Sequence, residues 1–365
     1  MDKVKVLIVD DSAFMRKLIS ELLSEDNRIE IIGTARNGKD ALMKIKSLNP
    51  DVVTLDVEMP VMDGLEALNR IMEECPTAVV MLSSTTKKGK DNTCIAMHSG
   101  AVDFIAKPSG AISLDMYKIK EELCEKVMAA SFANVHKLQN NARNVERSPL
   151  EWKKYSKIEA KENNIIEKNI NHWFHGNKKI VVIGTSTGGP RALQTVLTGL
   201  PGNLDAPILI VQHMPPSFTK SLADRLNSLC RIQVKEAEDG ELIQKGIAYI
   251  APGGYHFKVK QIGKSLAVEL DQSELRNGHR PSVDVLFESV SEISDLAKIA
   301  VVMTGMGMDG SSGLAKLKAN GPLKAIAESQ ETSIVFGMPK AAIATNLIDS
   351  IEDVDKIAKA IIGYC

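Results

Sequence analysis

The sequence predicts two doubly wound α/β domains joined by a polar segment, and three observations predict it. Short apolar runs alternate with amphipathic stretches up to about residue 125, the alternation stops, and it resumes from Ile180 to the end. At 365 residues the chain is also long for one domain. A 44% hydrophobic share is ample for two cores, and a formal net charge of -1 supplies no global basic field to draw nucleic acid or an acidic membrane.

Val4 to Val9 is apolar enough for a strand buried on both faces, and Ala13 to Leu23 carries Phe14, Leu18 and Leu22 along one helical side. Ile29–Ala35, Val52–Leu55, Ala78–Leu82 and Asp103–Ala106 read as further strands. Helical stretches lie around Lys39–Lys46, Gly64–Glu74, Lys90–Ser99 and Asp115–Ala129. These five βα units predict a parallel doubly wound sheet. Asn, Lys and Glu then dominate Asn140-Asn141-Ala142-Arg143-Asn144 and Lys161-Glu162-Asn163-Asn164, too polar to build a core. The expected division is therefore 1–125, a linker at 126–178, and a second unit at 179–365. In that unit Ile180–Ile183, Ile208–Val211, Ala248–Ala251, Ile299–Met303 and Lys324–Ala327 read as strands, with a β-rich insertion around Val234–Leu270. Arg191–Leu200, Phe218–Leu229, Ser282–Val290, Gly313–Ala319 and Val354–Ile362 read as helices.

The start Met1-Asp2-Lys3-Val4 lacks the features of a signal peptide, and no apolar run approaches the roughly 20 residues of a membrane span. Five scattered cysteines without a CxxC pair read as reduced thiols. A cytoplasmic protein without membrane insertion is the expectation.

Asp10-Asp11 follow the first strand and Asp56 follows the third, so three carboxylates meet at the carboxyl edge of a parallel sheet. They repel one another unless a hard cation neutralises them, and Mg²⁺ suits oxygen ligands. Ser83 follows the fourth strand and Lys107-Pro108 the fifth, bringing a hydroxyl and an ammonium to the same edge. Taken singly, these residues also fit a helix cap, a turn and a solvated lysine. Together they fit a phosphoryl site with a carboxylate acceptor. With Met59-Pro60-Val61-Met62-Asp63-Gly64, they resemble a two-component receiver domain, a flavodoxin-like fold. The resemblance implies that Asp56 accepts phosphate from a histidine kinase, that Asp10, Asp11 and Asp56 hold Mg²⁺, and that Ser83 and Lys107 act in the switch.

In the second unit, Ile183-Gly184-Thr185-Ser186-Thr187-Gly188-Gly189-Pro190 reads as strand, tight turn and helix start, leaving Ser186 exposed beside helix N-terminal amides. Ser186 occupies the second glycine position of G-x-G-x-x-G, which argues against a dinucleotide site. The next strand ends in Gln212-His213-Met214-Pro215-Pro216, which brings His213 to the same edge. A third strand runs into Thr304-Gly305-Met306-Gly307-Met308-Asp309-Gly310. Asp309 fits a turn residue or the orienter of an imidazole. The chain order Ser…His…Asp differs from that of α/β-hydrolases.

These motifs, with Tyr249-Ile250-Ala251-Pro252-Gly253-Gly254-Tyr255-His256, His279-Arg280-Pro281-Ser282-Val283-Asp284 and Phe336-Gly337-Met338-Pro339, resemble the chemotaxis CheB methylesterase family. Met308 departs from the small polar residue expected before the acid. The resemblance implies a serine hydrolase that releases methanol from glutamate methyl esters on chemoreceptors and deamidates receptor glutamines, with no cofactor for ester hydrolysis. It assigns Ser186, His213 and Asp309 the catalytic roles, with Thr187 and Met306 amides as oxyanion candidates. Methyl-accepting chemotaxis receptors become the expected substrate and the chemotaxis histidine kinase the phosphodonor. Two other classes remain at this point. A response regulator with a nucleic-acid-binding output would need a basic helix-turn-helix module, and a binding module would keep the fold with an idle triad.

Overall fold

The computed structural model describes residues 2–107, 119–135 and 178–365. Pro108, the start of the expected Asp115–Ala129 helix and most of the expected 126–178 linker lie outside the described residues. The first unit runs β1 (Val4–Val9), α1 (Ala13–Ser24), β2 (Ile29–Ala35), α2 (Gly38–Leu48), β3 (Val52–Asp56), α3 (Gly64–Glu74), β4 (Ala78–Ser83), α4 (Lys87–Ser99), β5 (Asp103–Ala106) and α5 (Lys120–Ser131). Its sheet order is β2-β1-β3-β4-β5, parallel throughout. The order reverses direction at β1, and the cleft between β1 and β3 is where this topology binds ligands.

Side-chain caps start α1 to α4. Ser12, Asn37, Asp63 and Thr86 accept from the amides of Met15, Asp40, Glu66 and Gly89, satisfying donors that no turn of helix can reach. Leu18, Ile19, Leu22 and Leu23 then bury one side of α1, whereas Phe14, expected beside Leu18 and Leu22, is exposed in the first turn. α5 crosses the expected boundary at 125 and ends at Ser131.

The second unit runs β6 (Lys179–Thr185), α6 (Gly189–Thr198), β7 (Ile208–Gln212), α7 (Phe218–Leu229), β8 (Gln233–Glu236), β9 (Ile247–Ile250), β10 (His256–Ile262), β11 (Ser265–Asp271), α8 (Val283–Ser291), β12 (Ala297–Val302), α9 (Ser311–Ala319), β13 (Leu323–Glu328), α10 (Met338–Ala344), β14 (Ser350–Glu352) and α11 (Val354–Tyr364). Seven strands form one parallel sheet in the order β14-β13-β12-β6-β7-β9-β8. Connections from β6 move one way across the sheet and those from β12 move the other. The switch point, and with it the ligand crevice, falls between β6 and β12. The expected insertion at Val234–Leu270 is smaller than its bounds: β8 and β9 belong to the main sheet, and only β10 and β11 form a separate antiparallel hairpin.

The two units are in contact. α4 lies against α6 and α7, and the rings of Phe104 and Phe218 meet at 4.7 Å, both fully buried. Their buried apolar residues form one connected cluster, while a second cluster fills the opposite face of the larger sheet. Among the described residues no helix is long and apolar enough to cross a membrane.

Candidate active site and phosphoacceptor site

At the carboxyl edge of the first sheet, carboxylate oxygens of Asp10, Asp11 and Asp56 lie within 4.8 Å of one another. Lys107 Nζ sits 2.8 Å from Asp10 Oδ2 and 2.8 Å from Asp56 Oδ1. Burial pushes the Asp56 carboxyl up to about 6, against the pull of Lys107. The lysine is drawn the other way: burial disfavours its charge, but Asp56 and Asp10 raise its pKa. Three hard oxygen donors gathered so closely fit a Mg²⁺ ion, and one lysine does not neutralise all three. Ser83 is the expected switch residue that does not face this cluster. It is fully buried, donates to Gly89 O at 3.0 Å and accepts from Thr93 Oγ1 at 2.6 Å, which ties β4 to the first turns of α4.

In the larger sheet, Thr185 of β6 is the register partner of Gln212 in β7. The next residues, Ser186 and His213, therefore leave the sheet side by side. The turn beneath Ser186 is firmly tied: its N–H donates to Thr304 O at 3.0 Å, and Gln212 Nε2 donates to its carbonyl at 2.9 Å. A Cβ on Gly305 would lie 2.7 Å from Ser186 Cβ and 2.5 Å from Met338 Sδ, so only glycine lets the β12 loop approach. Gly188 takes φ 79°, a left-handed conformation that turns the chain into α6. Among the described residues the amides of Thr187 and Met306 donate no hydrogen bond, whereas the Ser186 amide is committed.

His213 Nε2 lies 2.9 Å from Asp309 Oδ2. Asp309 is buried and also accepts from Val283 N (2.7 Å), Asp284 N (3.1 Å), Ser282 Oγ (2.8 Å) and Asn277 Nδ2 (2.9 Å). Burial works to raise its pKa, but His213 and the Val283 and Asp284 amides outweigh it and hold the carboxyl well below the usual range. A carboxylate on Nε2 assigns the proton to that nitrogen. His213 Nδ1 is then the lone-pair nitrogen; it is buried and has no hydrogen-bond partner, the Ser186 hydroxyl included. This reverses the commoner arrangement, in which the acid takes Nδ1 and the serine faces Nε2. Met308 is exposed, so the departure from a small polar residue leaves the acid undisturbed.

Comparison with known proteins decides the family. Residues 181–361 match CheB methylesterase and residues 6–116 match the response regulator receiver domain. The chain is 54% identical over 363 residues to a protein-glutamate methylesterase/protein-glutamine glutaminase of Halalkalibacterium halodurans, covering 100% of this chain and 99% of that relative. It is 57% identical over 362 residues to the Geobacillus kaustophilus protein of the same name, at 99% of each chain. The chain belongs to the CheB methylesterase family. The crystal structure of the Thermotoga maritima CheB methylesterase catalytic domain shares 47% identity at a TM-score of 0.50, covering 52% of this chain and 99% of that one.

The family assignment and both parallel sheets agree with the fold class read from the sequence. Three residues surround Asp309 whose part in the site the sequence did not assign. Ser282 and Asp284 lie in the His279–Asp284 motif but had no role there, and Asn277 was missed altogether, its one signal being the Asn277-Gly278 hairpin-turn pair. His256 is held by Glu274 O at 2.9 Å, and it is His279 that stacks on His213, with ring centroids 3.8 Å apart. A further contact comes from the receiver. Asp103 Oδ2 accepts from Thr187 Oγ1 at 2.6 Å, one residue from Ser186, while Lys126 approaches Asp103 at 3.3 Å.

Burial, then the neighbouring His213, press the His279 pKa down to about 4. Between pH 6.5 and 4 the unfolded chain binds the extra proton and the folded chain does not, so this residue's contribution to stability falls as pH falls. His279→Phe should therefore lose less stability than the parent between pH 7 and pH 5, by about 2 kcal/mol, in urea unfolding at both pH values. Equal losses in the two proteins would contradict the burial argument.

Proposed function

We propose that this chain is a phosphorylation-controlled serine hydrolase of the cytoplasm that cleaves glutamate methyl esters on chemoreceptors and deamidates receptor glutamines. The carrying observation is the hydrogen bond from His213 Nε2 to a buried Asp309 on a ring adjacent in register to Ser186. With Nε2 occupied, His213 Nδ1 accepts the Ser186 proton as Oγ attacks the ester carbonyl. The free amides of Thr187 and Met306 receive the tetrahedral oxyanion. His213 then returns the proton to the departing methoxide and methanol leaves. A water molecule, deprotonated by the same nitrogen, splits the acyl-enzyme to give the glutamate carboxylate and restore Ser186. A glutamine side chain follows the same route with ammonia as the leaving group. Asp309 stays ionised throughout, keeping the ring oriented and stabilising its cationic state.

The receiver governs this site. Asp56 is the phosphoacceptor, with the chemotaxis histidine kinase as donor, and Asp10, Asp11 and Asp56 would hold Mg²⁺. That ion would neutralise phosphoryl oxygens during transfer. In the unphosphorylated chain the receiver lies against the active-site edge through Asp103–Thr187 and Phe104–Phe218. Once Ser83 turns to the phosphoryl group it leaves Gly89 O and Thr93, loosening α4, the helix that lies on α6 and α7. We take the receiver to end at Ser131, followed by the linker and a catalytic unit at 179–365.

Methanol release from methylated receptor membranes should fall by about 1,000-fold or more in Ser186→Ala. Undiminished release would sink the serine mechanism. A small phosphodonor with Mg²⁺ should stimulate the parent and leave Asp56→Asn at its basal rate, and equal stimulation of both would count against the switch.

A further inference from the structure

Residues Arg276, Asn277, Gly278 and His279 form a tight hairpin turn outside the secondary-structure frame. Arg276 and His279 exchange both backbone hydrogen bonds, at 3.1 and 2.9 Å, while Asn277 and Gly278 take φ of 54° and 79°. Two positive φ values in a two-residue loop define a type I′ turn, which Asn-Gly favours. The turn is largely exposed, and it contributes nothing to either apolar core. Yet its side chains reach inward to the two groups on which proton transfer depends.

Asn277 Nδ2 donates 2.9 Å to Asp309 Oδ1 and 2.9 Å to Asp284 Oδ2. One amide group thus uses both of its hydrogens to join two buried carboxylates. Asp284 Oδ1 is itself fixed by the amides of Gly310 and Gly313, at 2.9 and 2.7 Å, so the far end of the bridge is rigid. At the other end of the turn, the His279 ring stacks on His213 with an interplanar angle of 19°. The amide fixes the carboxylate that orients the imidazole, and the stacked ring fixes the plane in which that imidazole lies.

Resting on the Ser186–His213–Asp309 reading above, we propose that this exposed turn is a positioning element for proton transfer. Asn277 is the side chain from this turn that aligns Asp309, and His279 is the one that holds the plane of the His213 ring. Neither touches the reacting ester. Asn277 engages Oδ1 together with Ser282 Oγ and the Asp284 amide, while Oδ2 meets His213 Nε2 and the Val283 amide. A donor is required between the carboxylates because an acceptor there would add a third oxygen repulsion to a buried pair. At position 279 the requirement is a flat ring.

The test uses the full chain in steady-state methyl-ester hydrolysis, with Ser186→Ala as the reference for loss of chemistry. Asn277→Gly keeps the positive φ and removes only the amide, whereas Asn277→Asp keeps the shape and swaps donor for acceptor. Both should lower kcat by about 10- to 100-fold with KM within about twofold, since misaligned groups slow chemistry without weakening binding. Asn277→Gly should remain folded at the assay temperature, with a lowered melting temperature because two buried carboxylates lose a donor. His279→Ala should lower kcat by about 10-fold, and His279→Phe should restore most of it by keeping the stack. Parental kcat in Asn277→Gly, a change confined to KM, or His279→Phe as impaired as His279→Ala would each overturn the proposal while leaving the serine mechanism intact. Full activity in Ser186→Ala would overturn both.

Discussion

A single buried negative charge, that of Asp309, organises the catalytic half of this molecule. A carboxylate removed from water costs several kcal/mol unless donors replace its hydration. Here the replacements come from four directions: the His213 ring, the Ser282 hydroxyl, the Val283 and Asp284 amides and the Asn277 side chain. The Val283 and Asp284 amides open α8, so the carboxylate also sits where the helix dipole favours it. The arrangement is reciprocal. Asp284 in the first turn of α8 accepts from Gly310 and Gly313 at the start of α9, while Asp309, just ahead of α9, accepts from the start of α8. Each helix supplies the acid that caps the other, and this exchange holds the acid and the imidazole in one fixed relation.

The second constraint is sheet topology. Parallel strands gather their carboxyl ends along one edge, and the reversal between β6 and β12 opens a crevice there. Ser186 leaves β6, His213 leaves β7 and Asp309 follows β12, so three residues distant in sequence reach one sheet edge with no insertion devoted to the purpose. The receiver uses the same geometry for Asp10, Asp56 and Lys107. Packing links the two sites. Ser83 is bonded to α4, α4 lies on α6 and α7, and Thr187 at the foot of α6 is bonded to Asp103 of the receiver. Packed elements thus run without a break from Ser83 to the residue next to Ser186.

Much of this was legible in the sequence because strand ends are legible. Continuous apolar runs such as Val4–Val9 and Ile180–Ile183 mark buried strands, and the residue types that follow them report what the edge can do. The edge strands of the larger sheet were harder to read. β8 has one buried residue in four and β14 has none in three, too little pattern for alternation to register. Nor can spacing reveal the partners of Asp309. Asn277 lies on an exposed turn, and the Val283 and Asp284 donors are backbone groups carried by every sequence. The Asp103–Thr187 bond depends on how two domains meet, which periodicity within either one does not encode. The role of each His213 nitrogen is likewise a matter of ring orientation, visible only in three dimensions.

Proton transfer at this site turns on which His213 nitrogen carries the hydrogen. The ¹⁵N chemical shifts of His213 in the resting full-length protein near neutral pH test it directly. A protonated Nε2 and an unprotonated Nδ1 are predicted, because Asp309 holds the first and the serine needs the second. A resting ring protonated at Nδ1, with its lone pair on Nε2, would contradict the mechanism at its root.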